Sequence, residues 1–106
     1  MAHTILQINL NYSCSEPELK TAFSHAAPAI AQVPGLSWKI WIINAETQEA
    51  GGLYAFETEA ALHAYLASPI ITALRANPIV SQVQIKTFAA IAPLTEQTHG
   101  PIPALV

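Results

Sequence analysis

Charge is what this sequence has least of. Only 10% of its 106 residues are charged, Lys+Arg 4 against Asp+Glu 7 for a formal net charge of −3, where a globular domain ordinarily carries about 25%. So few cations leave no basic stripe to displace counterions from a phosphate backbone, which argues against nucleic acid as a partner. Aspartate is absent altogether. Without it, and without a strand-turn-helix elbow around a serine, a Ser-His-Asp hydrolase has no support. Cys14 is the lone cysteine and cannot form an internal disulfide, in keeping with a reducing compartment. It sits in a Ser/Pro-rich turn with no base beside it and reads as a spectator thiol. No apolar run reaches the roughly 18–20 residues that cross a bilayer. The start Met1-Ala2-His3-Thr4 has no basic n-region, so no membrane partner and a cytoplasmic location are expected. The four histidines, His3, His25, His63 and His99, lie far apart without metal-ligand spacing, so no metal is expected. Gly51-Gly52 falls inside a strand pattern rather than between a strand and a helix, which removes phosphate loops and dinucleotide fingerprints.

The length fits one domain, and 52% of the residues are hydrophobic. An apolar surface on a small, weakly charged domain ordinarily meets another protein, most often a second copy. A homodimer is expected.

Periodicity supplies the elements. Leu6, Ile8, Leu10 and Tyr12 alternate with Gln7, Asn9 and Asn11, a half-buried strand over 4–12. Ser15 with Glu18 forms a capping-box signature, and Pro17 is tolerated in a first turn. Leu19, Ala22, Phe23, Ala26, Ile30 and Val33 then make one helical stripe, which Pro28 should kink near its end. Residues 37–44 and 51–56 are β-branched and aromatic runs around a short connection, a hairpin. Gly51-Gly52 marks either a bulge or a close approach to the backbone, with the bulge favoured. Thr58 caps a helix carrying Ala61, Leu62, Tyr65 and Leu66 inward, and Ser68-Pro69 opens another that Asn77-Pro78 ends. A last strand covers 81–88.

The order β-α-β-β-α(α)-β is the ferredoxin-like α+β arrangement, a four-stranded antiparallel sheet with helices on one face. It places Gln7, Asn9 and Asn11 beside Gln82, Gln84 and Lys86 on the uncovered face, which is expected to pack on a partner sheet. The domain spans 1–92. Residues 93–106 read as an extended arm, either lying on a partner subunit or disordered.

The chemistry-bearing residues form an aromatic cluster. Trp38, Trp41, Tyr54 and Phe56 come from the hairpin, and Phe23 and Tyr65 from helices facing the same sheet. Such rings fill a core or line an apolar pocket. The Tyr54 and Tyr65 hydroxyls could orient a ligand, and His63, beside the inward stripe of its helix, could act as acid or base at a pocket mouth. Trp38 and Trp41 stand on opposite faces of their strand, so only one of them can line a given pocket. Lys39 and Glu49 read as a cross-strand surface pair.

Three segments carry a more specific signal: Pro34-Gly35-Leu36-Ser37-Trp38-Lys39-Ile40-Trp41, Glu49-Ala50-Gly51-Gly52-Leu53-Tyr54-Ala55-Phe56, and Ala60-Ala61-Leu62-His63-Ala64-Tyr65-Leu66. Over them, and from the first strand to about Thr95, the chain resembles the YdhR-like monooxygenases. The resemblance implies a ferredoxin-like subunit that pairs sheet to sheet as a dimeric α+β barrel. It also implies cofactor-independent oxygenation of a small phenol- or quinol-like aromatic, with dioxygen as co-substrate and neither metal nor flavin. No catalytic residues carry over from it. Trp38, Trp41 and Phe56 would be walls, and Tyr54, Tyr65 or His63 the donor to an oxyanion. The rival from another class is a non-enzymatic dimer that binds a small apolar ligand. Haem degradation, the third reading, would need a helix histidine, and His63 is its candidate.

Overall fold

The computed structural model describes residues 3–102. Its elements run β1 (Thr4–Tyr12), α1 (Glu16–Ala31), β2 (Leu36–Asn44), β3 (Glu49–Phe56), α2 (Glu59–Leu66), α3 (Pro69–Ala76), β4 (Val80–Ala89) and α4 (Ala92–Gln97). The strands form one antiparallel sheet in the order β2-β3-β1-β4. This is the ferredoxin-like α+β fold, and the first and last strands are neighbours, as the element order requires.

Local chemistry explains the boundaries. Ser15 Oγ accepts from the Glu18 amide at 3.2 Å while the Glu18 carboxylate accepts from the Ser15 amide at 3.3 Å, the reciprocal capping box. Thr58 Oγ1 caps α2 by accepting from the Ala61 amide at 3.1 Å. Ser68 takes the N-cap position of α3, but its hydroxyl makes no capping bond. Helix α1 runs unbroken through Pro28 to Ala31, with less than one turn lying beyond the proline. There Gln32 and Val33 donate to Ala29 and Ile30 across tighter turns.

The core lies between sheet and helices. Leu6, Ile8, Tyr54 and Phe56 from the sheet meet Ile30, Leu62, Tyr65 and Ile71, all at most 5% exposed. Each such large apolar side chain contributes about 1.5–3 kcal/mol by leaving water.

The glycine pair is not a bulge. Gly51 and Gly52 keep continuous pairing with Asn9 and Ile8 on one side and with Ile42 and Trp41 on the other. Close approach is the reason for Gly51, where an added Cβ would fall 1.8 Å from the Ile8 carbonyl oxygen. The hairpin's irregularity lies instead between Leu36 and Trp38.

On the uncovered face the expected polar row is present, with Gln7 opposite Lys86 and Asn9 opposite Gln84. Gln82 stands apart, at positive φ within the irregular stretch of β4. Residues 93–97, expected as part of an extended arm, belong instead to helix α4, whose first turn accommodates Pro93 because an N-terminal proline lacks only an unneeded donor. Beyond it the chain folds back on its own subunit. Trp38 Nε1–H donates to the Pro101 carbonyl at 3.1 Å, and Ile102 is buried. The arm's last residues, 103–106, lie outside the described residues. Among the described residues no helix is long and apolar enough to cross a membrane.

Gly51→Ala should lower the melting temperature sharply, since carbonyl and Cβ cannot share that space and overpacking of a core costs about 1–3 kcal/mol. Thermal denaturation checks it, and a parent-like melt would show that β1 and β3 can separate locally.

Candidate functional site

Small residues on α1 leave a space above the sheet. Ala22, Ala26 and Ala29 face a cavity of about 280 Å³ that is closed beneath by Trp41 and Tyr54 and reaches Tyr65. That volume falls just short of the roughly 300–1,000 Å³ of drug-sized ligand sites, so it suits only a small ligand. Phe23 packs on Trp41 with ring centroids 4.9 Å apart.

The polar groups gather around Tyr54. The Tyr54 and Tyr65 hydroxyls are 3.1 Å apart and share a hydrogen bond that either can donate; with Tyr54 as donor, the Tyr65 O–H is free to be offered to a ligand. Burial pushes both phenols above their ordinary range, so both stay protonated near neutrality. Phe56 stacks behind them, 6.1 Å from Tyr54 and 5.6 Å from Tyr65.

Lys39 was expected on the surface opposite Glu49, and the structure corrects this. Glu49 pairs with Asn44, while Lys39 pairs with Tyr54 and lines the cavity. Its Nζ lies 3.3 Å from the Trp41 ring centroid and 4.6 Å from that of Tyr54, a double cation–π contact. Burial lowers its pKa to about 7, because the cavity removes water from the ammonium and supplies no carboxylate.

The expected site residues divide. Trp41, Tyr54 and Tyr65 come together at the cavity. Trp38 is on the opposite face, held by Pro101, and Phe56 is fully buried core behind the tyrosines. His63 is exposed and does not line the cavity; it lies about 100° around α2 from Leu62, which takes the inward position. A haem ligand at His63 therefore has no geometry behind it. Cys14 is half-buried and unpaired. Among the described residues no three His, Cys or Glu side chains converge as a metal site.

The family model described as "Putative mono-oxygenase ydhR" matches residues 5–101. No curated protein matches the chain. Among solved structures, a protein of unknown function from Nitrosomonas europaea superposes with TM-score 0.75 at 23% identity, covering 99% of this chain and 98% of its own. SnoaB, a cofactor-independent oxygenase from Streptomyces nogalater, gives 0.67 at 19% identity over 84% and 93%. The heme-degrader MhuD from Mycobacterium tuberculosis gives 0.65 at 24% identity over 82% and 95%. At these identities the likenesses establish the fold.

Lys39→Met should stabilise the chain. The folded pKa is depressed, so between about 7 and the unfolded value near 10.4 the unfolded state binds more protons, and parent stability rises with pH across that window. Below pH 7 the burial cost is felt in full. The variant should therefore melt higher than the parent at pH about 6, by at least the roughly 4–8 °C that 1 kcal/mol represents in a domain this size. The gap should close by pH about 10. A gap independent of pH in paired thermal melts would refute the burial of a charged Lys39.

Proposed function

This chain belongs to the ydhR mono-oxygenase family, and from that premise we propose that its cavity binds a small phenol- or quinol-like aromatic and promotes its reaction with dioxygen without an added cofactor. The observation that carries the reading is the composition of the cavity: aromatic and aliphatic walls, with the hydrogen-bonded Tyr54–Tyr65 pair and the Lys39 amine, 4.6 Å from the Tyr54 ring centroid, among its lining. Flat apolar walls suit a ring, and a few convergent polar groups suit its oxygen. That SnoaB, on the same fold, is a cofactor-independent oxygenase supports the choice of chemistry.

The reaction balances with the substrate's own electrons. Loss of the hydroxyl proton makes the ring electron-rich, and a ring carbon bearing hydrogen adds dioxygen as a hydroperoxide. Elimination of water then leaves a carbonyl, so that one oxygen atom enters the product and the other leaves as water. The protein's part is to hold the ring away from bulk water and to stabilise the oxyanion with preorganised donors. Tyr65, with Tyr54 bonded to it, is the donor. Burial keeps its proton in place while the substrate's is lost.

The working form in this proposal is a cytoplasmic homodimer joined through the uncovered sheet faces. Ile40 and Phe88 point to that face and are 48% and 50% exposed. Ile5, opposite Phe88, and Leu53, opposite Ile40, continue the apolar surface between them. Few charges interrupt it, as suits a sheet that meets a second copy.

Oxygen consumption with a panel of naphthols and quinols tests the activity. Turnover should fall about tenfold to hundredfold in Tyr65→Phe, a loss somewhat below that of a full oxyanion-hole donor, and should be unchanged in His63→Ala. Saturable binding without oxygen uptake would replace the oxygenase by a ligand-binding protein on the same cavity. For the assembly, sedimentation should give a dimer for the parent and a monomer for Phe88→Lys. A monomeric parent would sink the sheet-to-sheet pairing.

A further inference from the structure

Lys39 is a cation in an unusual setting. It is the charged side chain among those lining the cavity, and nothing acidic lines the cavity with it. The ion pair found among the described residues, Lys20–Glu16, is on the surface of α1 and does not involve it. Taking an ammonium out of water costs several kcal/mol, and a counter-ion ordinarily offsets that. Here two ring faces substitute for a carboxylate. The position is therefore suited to an anion that arrives with the ligand.

The seat is also built in the backbone. Gly52 lies opposite Trp41 on the same sheet face, and a Cβ added to it would fall 2.5 Å from Lys39 Cε and 3.2 Å from Tyr54 Cε1. Any side chain at 52 would occupy the gap through which the lysine stem passes. Gly52 has no bulge to explain it, and unlike Gly51 it faces no backbone clash. Its missing side chain is what lets Lys39 lie across the strand and put its amine between Trp41 and Tyr54.

We propose that Lys39, seated in the gap left by Gly52, takes the proton of an acidic aromatic hydroxyl and holds the resulting anion, so that the cavity's substrates are phenols or naphthols bound as phenolates. The inference rests on the reading of the cavity as an aromatic site and adds to it the proton acceptor and the ionised state of the ligand. The step moves one proton from the aryl O–H to the Lys39 amine and leaves an aryl oxyanion beside an ammonium; no other reactant enters. An amine whose burial brings it to about 7 is half unprotonated at neutral pH, which is where an acceptor works best. The groups facing it that titrate are Tyr54 and Tyr65, both held protonated. The walls supplied by α1, by α3 and by the start of β4 contribute no titratable side chain.

The test uses 4-nitrophenol, whose anion is coloured, and its methyl ether 4-nitroanisole, which has no proton to lose. Both are titrated into the parent, Lys39→Met and Gly52→Ala by absorbance and calorimetry across roughly pH 5–8, where a group with a pKa near 7 changes charge. The parent should ionise bound nitrophenol at least about one pH unit below free probe, a tenfold preference for the anion. Lys39→Met should still bind the ether, show no such advance in ionisation, and hold the anion at least about tenfold more weakly relative to the ether than the parent does. Gly52→Ala should follow Lys39→Met although the lysine is kept, because the far end of that side chain is what the new Cβ displaces. Equal ionisation of bound probe in parent and Lys39→Met, with the ether bound by both, overturns the proposal while leaving the aromatic cavity intact. Parent-like ionisation in Gly52→Ala overturns the seat. If the ether binds neither protein, the aromatic reading fails and this inference falls with it.

Discussion

Residues 45–48 separate β2 from β3, and the length of that turn fixes the register in which the two strands pair. Asn44 Oδ1 accepts from the Glu46 and Thr47 amides, which closes the turn and pairs Asn44 with Glu49. Antiparallel pairing then allows no choice: Lys39 must oppose Tyr54 and Trp41 must oppose Gly52. Directly opposed residues share a face, and alternation keeps 39 with 41 and 52 with 54. A one-residue slip would carry the whole group to the other side of the sheet. The cation, the indole, the phenol and the gap between them therefore stand or fall with one register.

The helix layer decides how much room that group has. Where α1 presents alanine, the sheet below is left partly uncovered, and the cavity is the volume that larger side chains would have filled. Phe56, Leu62 and Ile8 close the structure tightly beside it. Stability and emptiness are thus neighbours in one core: the packed half supplies the folding energy, and the open half tolerates a half-buried lysine that a fully packed interior would reject. The Tyr54–Tyr65 hydrogen bond spans the boundary and uses one of the two O–H donors, leaving the other for a ligand.

Much of the fold was legible beforehand because it depends on short-range pattern. Strand alternation around Leu6, Ile8 and Leu10, the Ser15–Glu18 box and the Thr58 cap act within a few residues of themselves. Trp38, Trp41, Tyr54, Phe56 and Tyr65 stood out as rings of one cluster, but strand alternation alone put the two indoles on opposite faces without saying which of them faces the helices. Lys39 did not, because charge in a strand reads as surface; counting residue by residue back from the turn was the signal that would have found it opposite Tyr54. His63 was misplaced by a single helical step, about 100°. The tail was misjudged because its three prolines read as extended chain, whereas Pro93 sits where a helix tolerates it and Trp38 anchors Pro101.

The order and type of the elements from β1 to β4, the sheet's two unlike faces and the scarcity of charge on them were already written in the chain, since they come from side-chain chemistry repeated at the helical and strand periods. It took the packed molecule to settle that the alanines of α1 stand over a cavity, that Gly52 makes room for a lysine rather than for a bend, and that Pro101 meets Trp38. Those outcomes depend on volumes contributed by elements far apart in the chain, and volume left unfilled between distant elements has no signature in any one of them.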